Sequence, residues 1–232
     1  MDSSIREKAM QWLQSNIDQD ARAEIQKMLD DENGTELTDA FYKDLEFGTG
    51  GLRGIMGIGS NRINKYTIGK ATQGLSNYLK KAFPDEQIKV AIAHDSRNNS
   101  DSFARISAAV FSANGIKVYF CSSLRPTPLL SFAIRYYGCH SGVVQTASHN
   151  PKEYNGYKAY WNDGAQVVPP HDTNIIAEVE AITDFNQIRF EANEQLIEWV
   201  GEELDNAYLN QVKTLYLSPE AVAKNADLKI VF

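Results

Sequence analysis

The stretch from Val143 to Lys158 gathers residue types that handle phosphate: a hydroxyl at Ser148, an imidazole at His149, amides at Asn150 and Asn155 and an amine at Lys158. An apolar lead-in, Val143-Val144, delivers Ser148 into a polar loop in which Pro151 holds Asn150 extended. Asn155-Gly156 reads as a turn that returns the chain with Lys158 toward the same mouth. A serine hydroxyl is a poor nucleophile without a base or a metal, but as a phosphate carrier it splits one transfer into two easier ones. Phosphoryl transfer spreads negative charge over equatorial oxygens, so such a site needs cations and backbone N–H groups more than a covalent triad. Arg53, Lys158 and the glycine-freed amides of Phe47-Gly48-Thr49-Gly50-Gly51-Leu52-Arg53-Gly54 supply both.

Each of these residues also has a plainer reading. Taken without its flanks, Ser148 is a turn or capping residue, and Arg53 and Lys158 are solvated surface cations. His149 divides between a structural hydrogen bond and a share in proton transfer. In His94-Asp95-Ser96-Arg97, Arg97 reads first as the partner of Asp95, pinning its own loop, and second as a substrate contact. The glycine segment matches neither GxGxxG nor GxxxxGK[ST] and follows a helical stretch, which argues against NAD and ATP. GxSxG is absent, and adjacent residues such as Ser148 and His149 rarely align as nucleophile and base, which argues against a Ser-His hydrolase.

The elements that must position these groups follow from periodicity. Residues 4–30 have helix-forming composition and read as a helical arm, broken at Asn33-Gly34 and followed by a short helix from Thr38. The glycine-rich segment 47–54 reads as a loop. A helix is expected over 67–83, ended by Pro84, then a strand over 88–93, a helix over 102–114 stopped by Gly115, and a strand over 117–121. Pro126 and Pro128 open a helix over 129–137, and strands follow over 141–145 and 157–160, then a helix over 171–182. Residues 184–193 read as a linker, Leu204 to Leu215 as an amphipathic helix, and Leu228 to Phe232 as strand-like. The alternation implies an α/β domain with a mostly parallel, mixed sheet covered on both faces, and ligands approaching the carboxyl ends of its strands. Both the 94–97 and the 146–150 segments fall at such ends.

Bulk properties narrow the function. The 232 residues, 43% of them hydrophobic, are enough for a sizeable core. A formal charge of −7 repels nucleic-acid phosphates, and no basic tract overcomes it, so nucleic acid is not an expected partner. No stretch reaches the ~18 apolar residues of a membrane span, and no basic-then-apolar leader follows Met1, which together read as cytoplasmic. Cys121 and Cys139 lack CxxC or ligand spacing and read as buried free thiols.

Thr146-Ala147-Ser148-His149-Asn150-Pro151, followed by Tyr154-Asn155-Gly156-Tyr157-Lys158, resembles the phosphoserine signature of the α-D-phosphohexomutases, the phosphoglucomutase/phosphomannomutase family. Phe47 to Gly54 is similar to that family's first loop, and Asp95-Ser96-Arg97 to its Asp-x-Arg strand end, so the likeness runs in order from about residue 40 onward. The resemblance implies a three-layer α/β/α domain over 41–190, preceded by a helical arm over 1–40 and followed over 191–232 by a linker and the truncated start of a second, similar domain. It implies a mutase that moves phosphate between C1 and C6 of a hexose through phospho-Ser148 and a sugar bisphosphate, which also serves as activator. Lys158 matches the family's general base, and Arg53 matches the contact to the phosphoserine. Thr49, Gly50, Asn150 and Arg97 fall where phosphate or substrate is bound, and His149 adjoins the nucleophile. The family's Mg2+ is held by the serine phosphate together with an Asp-rich loop that does not occur up to Phe232, so Ser148 is the metal-site residue expected here. Alternatives are a phosphopentomutase and a non-catalytic phosphosugar-binding or regulatory module. The remaining domains of a longer enzyme are the expected partner.

On this reading the 232-residue chain by itself has negligible mutase turnover. An assay with glucose 1-phosphate, magnesium and a bisphosphate primer checks it, and substantial activity would contradict it.

Overall fold

A computed structural model describes residues 3–48, 50–229 and 231. The amino-terminal helical arm consists of two helices, α1 (Ser3–Gln14) and α2 (Gln19–Asp30), followed by α3 (Thr35–Phe41). The break at Asp18 has a local cause. Asp18 is extended (φ −71°, ψ 168°) and its carboxylate accepts the Ala21 N–H at 3.0 Å, the arrangement of a helix N-cap. Arg22, one turn into α2, donates to the carbonyls of Leu13, Ser15 and Ile17 and so satisfies the open end of α1.

The segment expected to be a glycine loop is instead partly strand: Gly51–Ile55 is β1. Then come α4 (Lys65–Ala82), β2 (Lys89–His94), α5 (Ser100–Ala113), β3 (Lys117–Cys121), α6 (Thr127–Tyr136), β4 (Ser141–Gln145), β5 (Tyr154–Trp161), α7 (His171–Glu180), β6 (Ile197–Val200), α8 (Glu202–Lys213) and α9 (Pro219–Lys224). The caps explain several limits. Asn64 and Thr67 form a reciprocal capping box at the start of α4, and Gly115, at φ 79°, lies just beyond the end of α5.

The strands form one six-stranded sheet in the order β1-β5-β4-β2-β3-β6. Only β5 runs against its neighbours, antiparallel to both β1 and β4, so the sheet is mixed and mostly parallel. On one face Val90, Ile92, Val143 and Tyr157 pack with Ile68, Leu75 and Leu79 of α4, Phe111 of α5 and Ile175 of α7. On the other, Ala91, Ala93 and Val144 meet Leu130 and Ile134 of α6 and Leu204 of α8. Each fully buried valine, leucine or isoleucine among them contributes about 1.5–3 kcal/mol of transfer free energy. This is the three-layer α/β/α fold.

Three further segments differ from the sequence expectation. Asn155-Gly156 is inside β5, which starts at Tyr154 rather than Tyr157; the reversal is made earlier, by the turn that closes from Tyr154 N–H to the Pro151 carbonyl. Ile197–Val200, expected to follow the first domain, joins its sheet as β6, in register with Val118–Cys121. Leu228, Lys229 and Val231 lie in no strand, and the Ile230 and Phe232 ends of that expected element lie outside the described residues. Cys121 and Cys139 are buried free thiols, and burial pushes them up to about 11 and about 12. No helix among the described residues is long and apolar enough to cross a membrane.

Asp18 joins the arm to the domain, because Tyr66 of α4 donates its hydroxyl to the Asp18 carboxylate at 2.9 Å. The Ala21 amide, followed by Tyr66 and Lys65, holds the Asp18 carboxyl below its ordinary value. Its contribution to stability is therefore complete at neutral pH and fades as pH falls through the carboxylate range. Asp18→Ala is expected to cost about 1 kcal/mol. Urea denaturation at pH 7 and at acid pH checks this, with the difference between the two proteins shrinking in acid.

Candidate active site

Ser148 stands just beyond the carboxyl end of β4. Ala147 before it is fully buried while Ser148 and His149 are exposed, so the loop breaks out of the core at the serine itself. Ser148 is one of two non-glycine residues with positive φ among those described, at 56°. This left-handed backbone costs an L-residue about 1–2 kcal/mol. Two contacts fix it locally: the Ser148 N–H donates to Thr146 Oγ1 at 3.0 Å, and the Asn150 N–H closes a turn onto the Ala147 carbonyl at 3.1 Å. The Ser148 hydroxyl is 3.4 Å from His149 Nδ1.

Arg97, from the loop after β2, grips the same segment. Its Nη1 donates to the carbonyls of Pro151 (2.9 Å) and Tyr154 (3.1 Å), and its Nη2 to those of Ser148 (2.8 Å) and Asn150 (2.6 Å). Nε lies 3.5 Å from Asp95 Oδ2. Asp95 is oriented in turn by the Arg97 N–H at 2.9 Å and the Ser100 hydroxyl at 2.6 Å. The Asp95 pairing expected from sequence is present, but the larger part of the guanidinium is spent on carbonyls of the serine loop. Asn155 makes a second tie: wholly buried, it donates to the Asn98 carbonyl and the Ser100 hydroxyl, each at 3.0 Å, and accepts the Gly156 N–H at 2.7 Å.

The two cations come from the antiparallel corner of the sheet. Arg53 of β1 faces Gly156 of β5, and Lys158 of β5 faces Gly51 of β1 and Val144 of β4. Directly opposed residues share a face, so Arg53 and Lys158 project on the same side of the sheet as diagonal neighbours, about 7–8 Å apart at their backbones. Arg53 is exposed and donates to Asn150 Oδ1 at 3.4 Å, which brings it to the serine loop. Lys158 is half-buried, lies two residues further down β5 than the level of Thr146, and makes no ion pair among the described residues.

Gly50 lies against β5. It is buried, its carbonyl accepts from Ala159 N at 2.8 Å, and a Cβ there would run into the Gln166 side chain. The glycines are needed because two strands approach closely: a Cβ on Gly51 would fall 1.8 Å from the Tyr157 carbonyl oxygen. Thr49 lies outside the described residues. A cleft of about 680 Å3 between Trp12, Tyr66, Val179 and Phe185 has none of the candidate residues in its walls. The roles of Thr146, Ser100 and Asn155 were missed by reading the sequence. Only Thr146 carried a signal, as a hydroxyl two residues before the serine able to cap its N–H.

Among the described residues no three His, Cys, Asp or Glu side chains converge as metal ligands. These residues alone do not fit a magnesium site.

The family model described as phosphoglucomutase/phosphomannomutase, alpha/beta/alpha domain I, matches residues 44–186, more than half of the chain. The chain belongs to the phosphoglucomutase/phosphomannomutase family. Among relatives, the phosphopentomutase of Homo sapiens is 38% identical over 186 residues, covering 77% of this chain and 30% of that protein. The phosphoglucomutase of Staphylococcus haemolyticus is 34% identical over 212 residues, covering 90% and 38%. The open form of pp63/parafusin, a phosphoglucomutase from Paramecium, shares the fold with a TM-score of 0.56 at 21% identity, over 75% of this chain and 36% of that one. The chain thus spans about a third of the length of the proteins it matches.

In this phosphoglucomutase/phosphomannomutase domain Gly156 is hemmed in on two sides behind the site, since a Cβ would lie 2.7 Å from the carbonyl oxygens of both Leu52 and Thr146. These are backbone atoms of the flanking strand and of the serine loop, and neither can yield without parting the sheet. Gly156→Ala is expected to destabilise by about 1–3 kcal/mol. Urea denaturation measures it, and a loss below about 0.5 kcal/mol would show that the approach is looser than described.

Proposed function

We propose that the chain is the phosphate-carrying part of a phosphosugar mutase, with Ser148 as the carrier. The observation that carries this reading is the presentation of one exposed hydroxyl, on a left-handed backbone at a strand's carboxyl end, in a loop that Arg53 reaches through Asn150, with Lys158 on the same sheet face as Arg53. A sugar hydroxyl attacks the phosphorus of phospho-Ser148; the new O–P bond forms as the bond to Ser148 Oγ breaks. The attacking hydroxyl gives up its proton to a base, for which Lys158 as the neutral amine is the candidate, and the serine oxygen takes one up, for which the candidate donor is His149, 3.4 Å away. The bisphosphate then returns its other phosphate to Ser148 by the reverse of these steps. Arg53 offsets charge on the transferring group.

The sugar is a hexose monophosphate on the resemblance first noted. A pentose monophosphate is the second reading, supported by the phosphopentomutase relative at 38% identity against 34% for the phosphoglucomutase. A non-catalytic, phosphosugar-binding role would keep the same fold without the phosphoserine.

Intact-mass measurement on the purified chain, after incubation with a hexose or a pentose bisphosphate and magnesium, distinguishes these. A single added phosphoryl group that disappears in Ser148→Ala supports the carrier, and the bisphosphate that loads it faster identifies the sugar. An unmodified mass with both sugars would sink the proposal.

A further inference from the structure

We propose that Arg97 is a positioning residue, whose guanidinium gathers four backbone carbonyls and thereby sets the conformation in which the serine loop presents its hydroxyl and its free amides; this rests on Ser148 being the functional residue. The carbonyls of Ser148, Asn150, Pro151 and Tyr154 converge on one group. Left to themselves, four converging carbonyl dipoles repel one another and would turn outward to water. A guanidinium is the one side chain with enough donors in a planar fork to hold them, and hydrogen bonds to a charged donor are about twice as strong as neutral ones. The Arg97 side chain is only 13% exposed, so the contacts are largely shielded from competing water.

This orientation has a consequence for the other side of each peptide group. In a trans peptide the N–H points away from the preceding C=O. With the Ser148 and Pro151 carbonyls turned toward Arg97, the N–H groups of His149 and Lys152 are turned away from it, and neither donates to a protein acceptor among the described residues. Both residues are exposed. The clamp thus leaves two unused backbone donors on the solvent side of the loop, one of them adjacent to the serine, available to phosphate oxygens. Asp95 holds the fork from behind, and Asn155, through Ser100, ties the same two loops together independently.

The test is residue-resolved NMR on the 232-residue chain. In the unaltered protein the Arg97 guanidinium should be rotationally frozen and show separate Nη proton resonances; one averaged line would overturn the proposal without any mutation. In Arg97→Lys, which keeps the charge but not the fork, the amides of Ser148, Asn150 and Tyr154 should exchange about tenfold faster or more, while those of β2 and β3 keep their protection. In Arg97→Ala, added methylguanidinium should restore slow exchange at those same amides. Unchanged loop exchange in the lysine variant, or an equal loss of protection throughout the sheet, would reject a local positioning role. Ser148→Ala should keep the frozen guanidinium and the protected Asn150 and Tyr154 amides, so a failure of phosphate carriage is told apart from a failure of the clamp.

Discussion

A serine at φ 56° is held against its own backbone preference, and the site depends on what offsets that cost. The strain, about 1–2 kcal/mol, is comparable to a single charge-assisted hydrogen bond. Arg97 makes four contacts to the loop from a partly buried position, and Thr146 and Ala147 add two more at the turn itself. The balance lies on the side of the contacts. The result is an exposed hydroxyl on a rigid support, which would leave less ordering to be done in the transfer proposed for it.

The second constraint is the reversed strand. β5 is the only member of the sheet to run antiparallel, and its insertion between β1 and β4 sets Arg53 and Lys158 on one face. That insertion requires close backbone approach, and glycine stands where it is closest: Gly51 against Tyr157, and Gly156 against both Leu52 and Thr146. Arg53 and Lys158 are therefore delivered by sheet register rather than by a flexible loop. A net charge of −7 over the chain does not prevent a cationic corner, because the range of exposed charges is short at physiological salt.

Beyond the site, the first sheet continues further along the chain than a linker reading allowed. β6 pairs with β3, and Arg125, in the loop after β3, meets Asp205 of α8 through two bonds of 2.7 Å and 2.6 Å. This bidentate pair raises Arg125 above its already high value. Its amide also donates to the His94 carbonyl at 3.0 Å, so the strand-end loops and α8 form one connected structure.

Sequence by itself determined the alternating elements, because hydrophobic period and Gly/Pro punctuation are local properties. β3 and β4 have the limits read from composition, and α4 through α7 lie within a few residues of theirs. It also determined the candidate serine and its neighbours, because a motif at fixed spacing is visible in one dimension. Tertiary structure alone decided what Asn155, Gly50 and Arg97 do. Asn-Gly is the commonest turn signal, yet here Asn155 is an interior strand residue whose partners lie 55 and 57 residues away. Gly50 belongs to a glycine-rich run that local propensity assigns to a loop, but β5 supplied the strand partner that made its continuation a ladder. Arg97 carried the same charge in either reading. Only the approach of a loop more than 50 residues away showed that its donors are used by the protein itself. In each case the deciding partner is distant along the chain, and pairing at that range is fixed by the packing of the sheet rather than by local sequence.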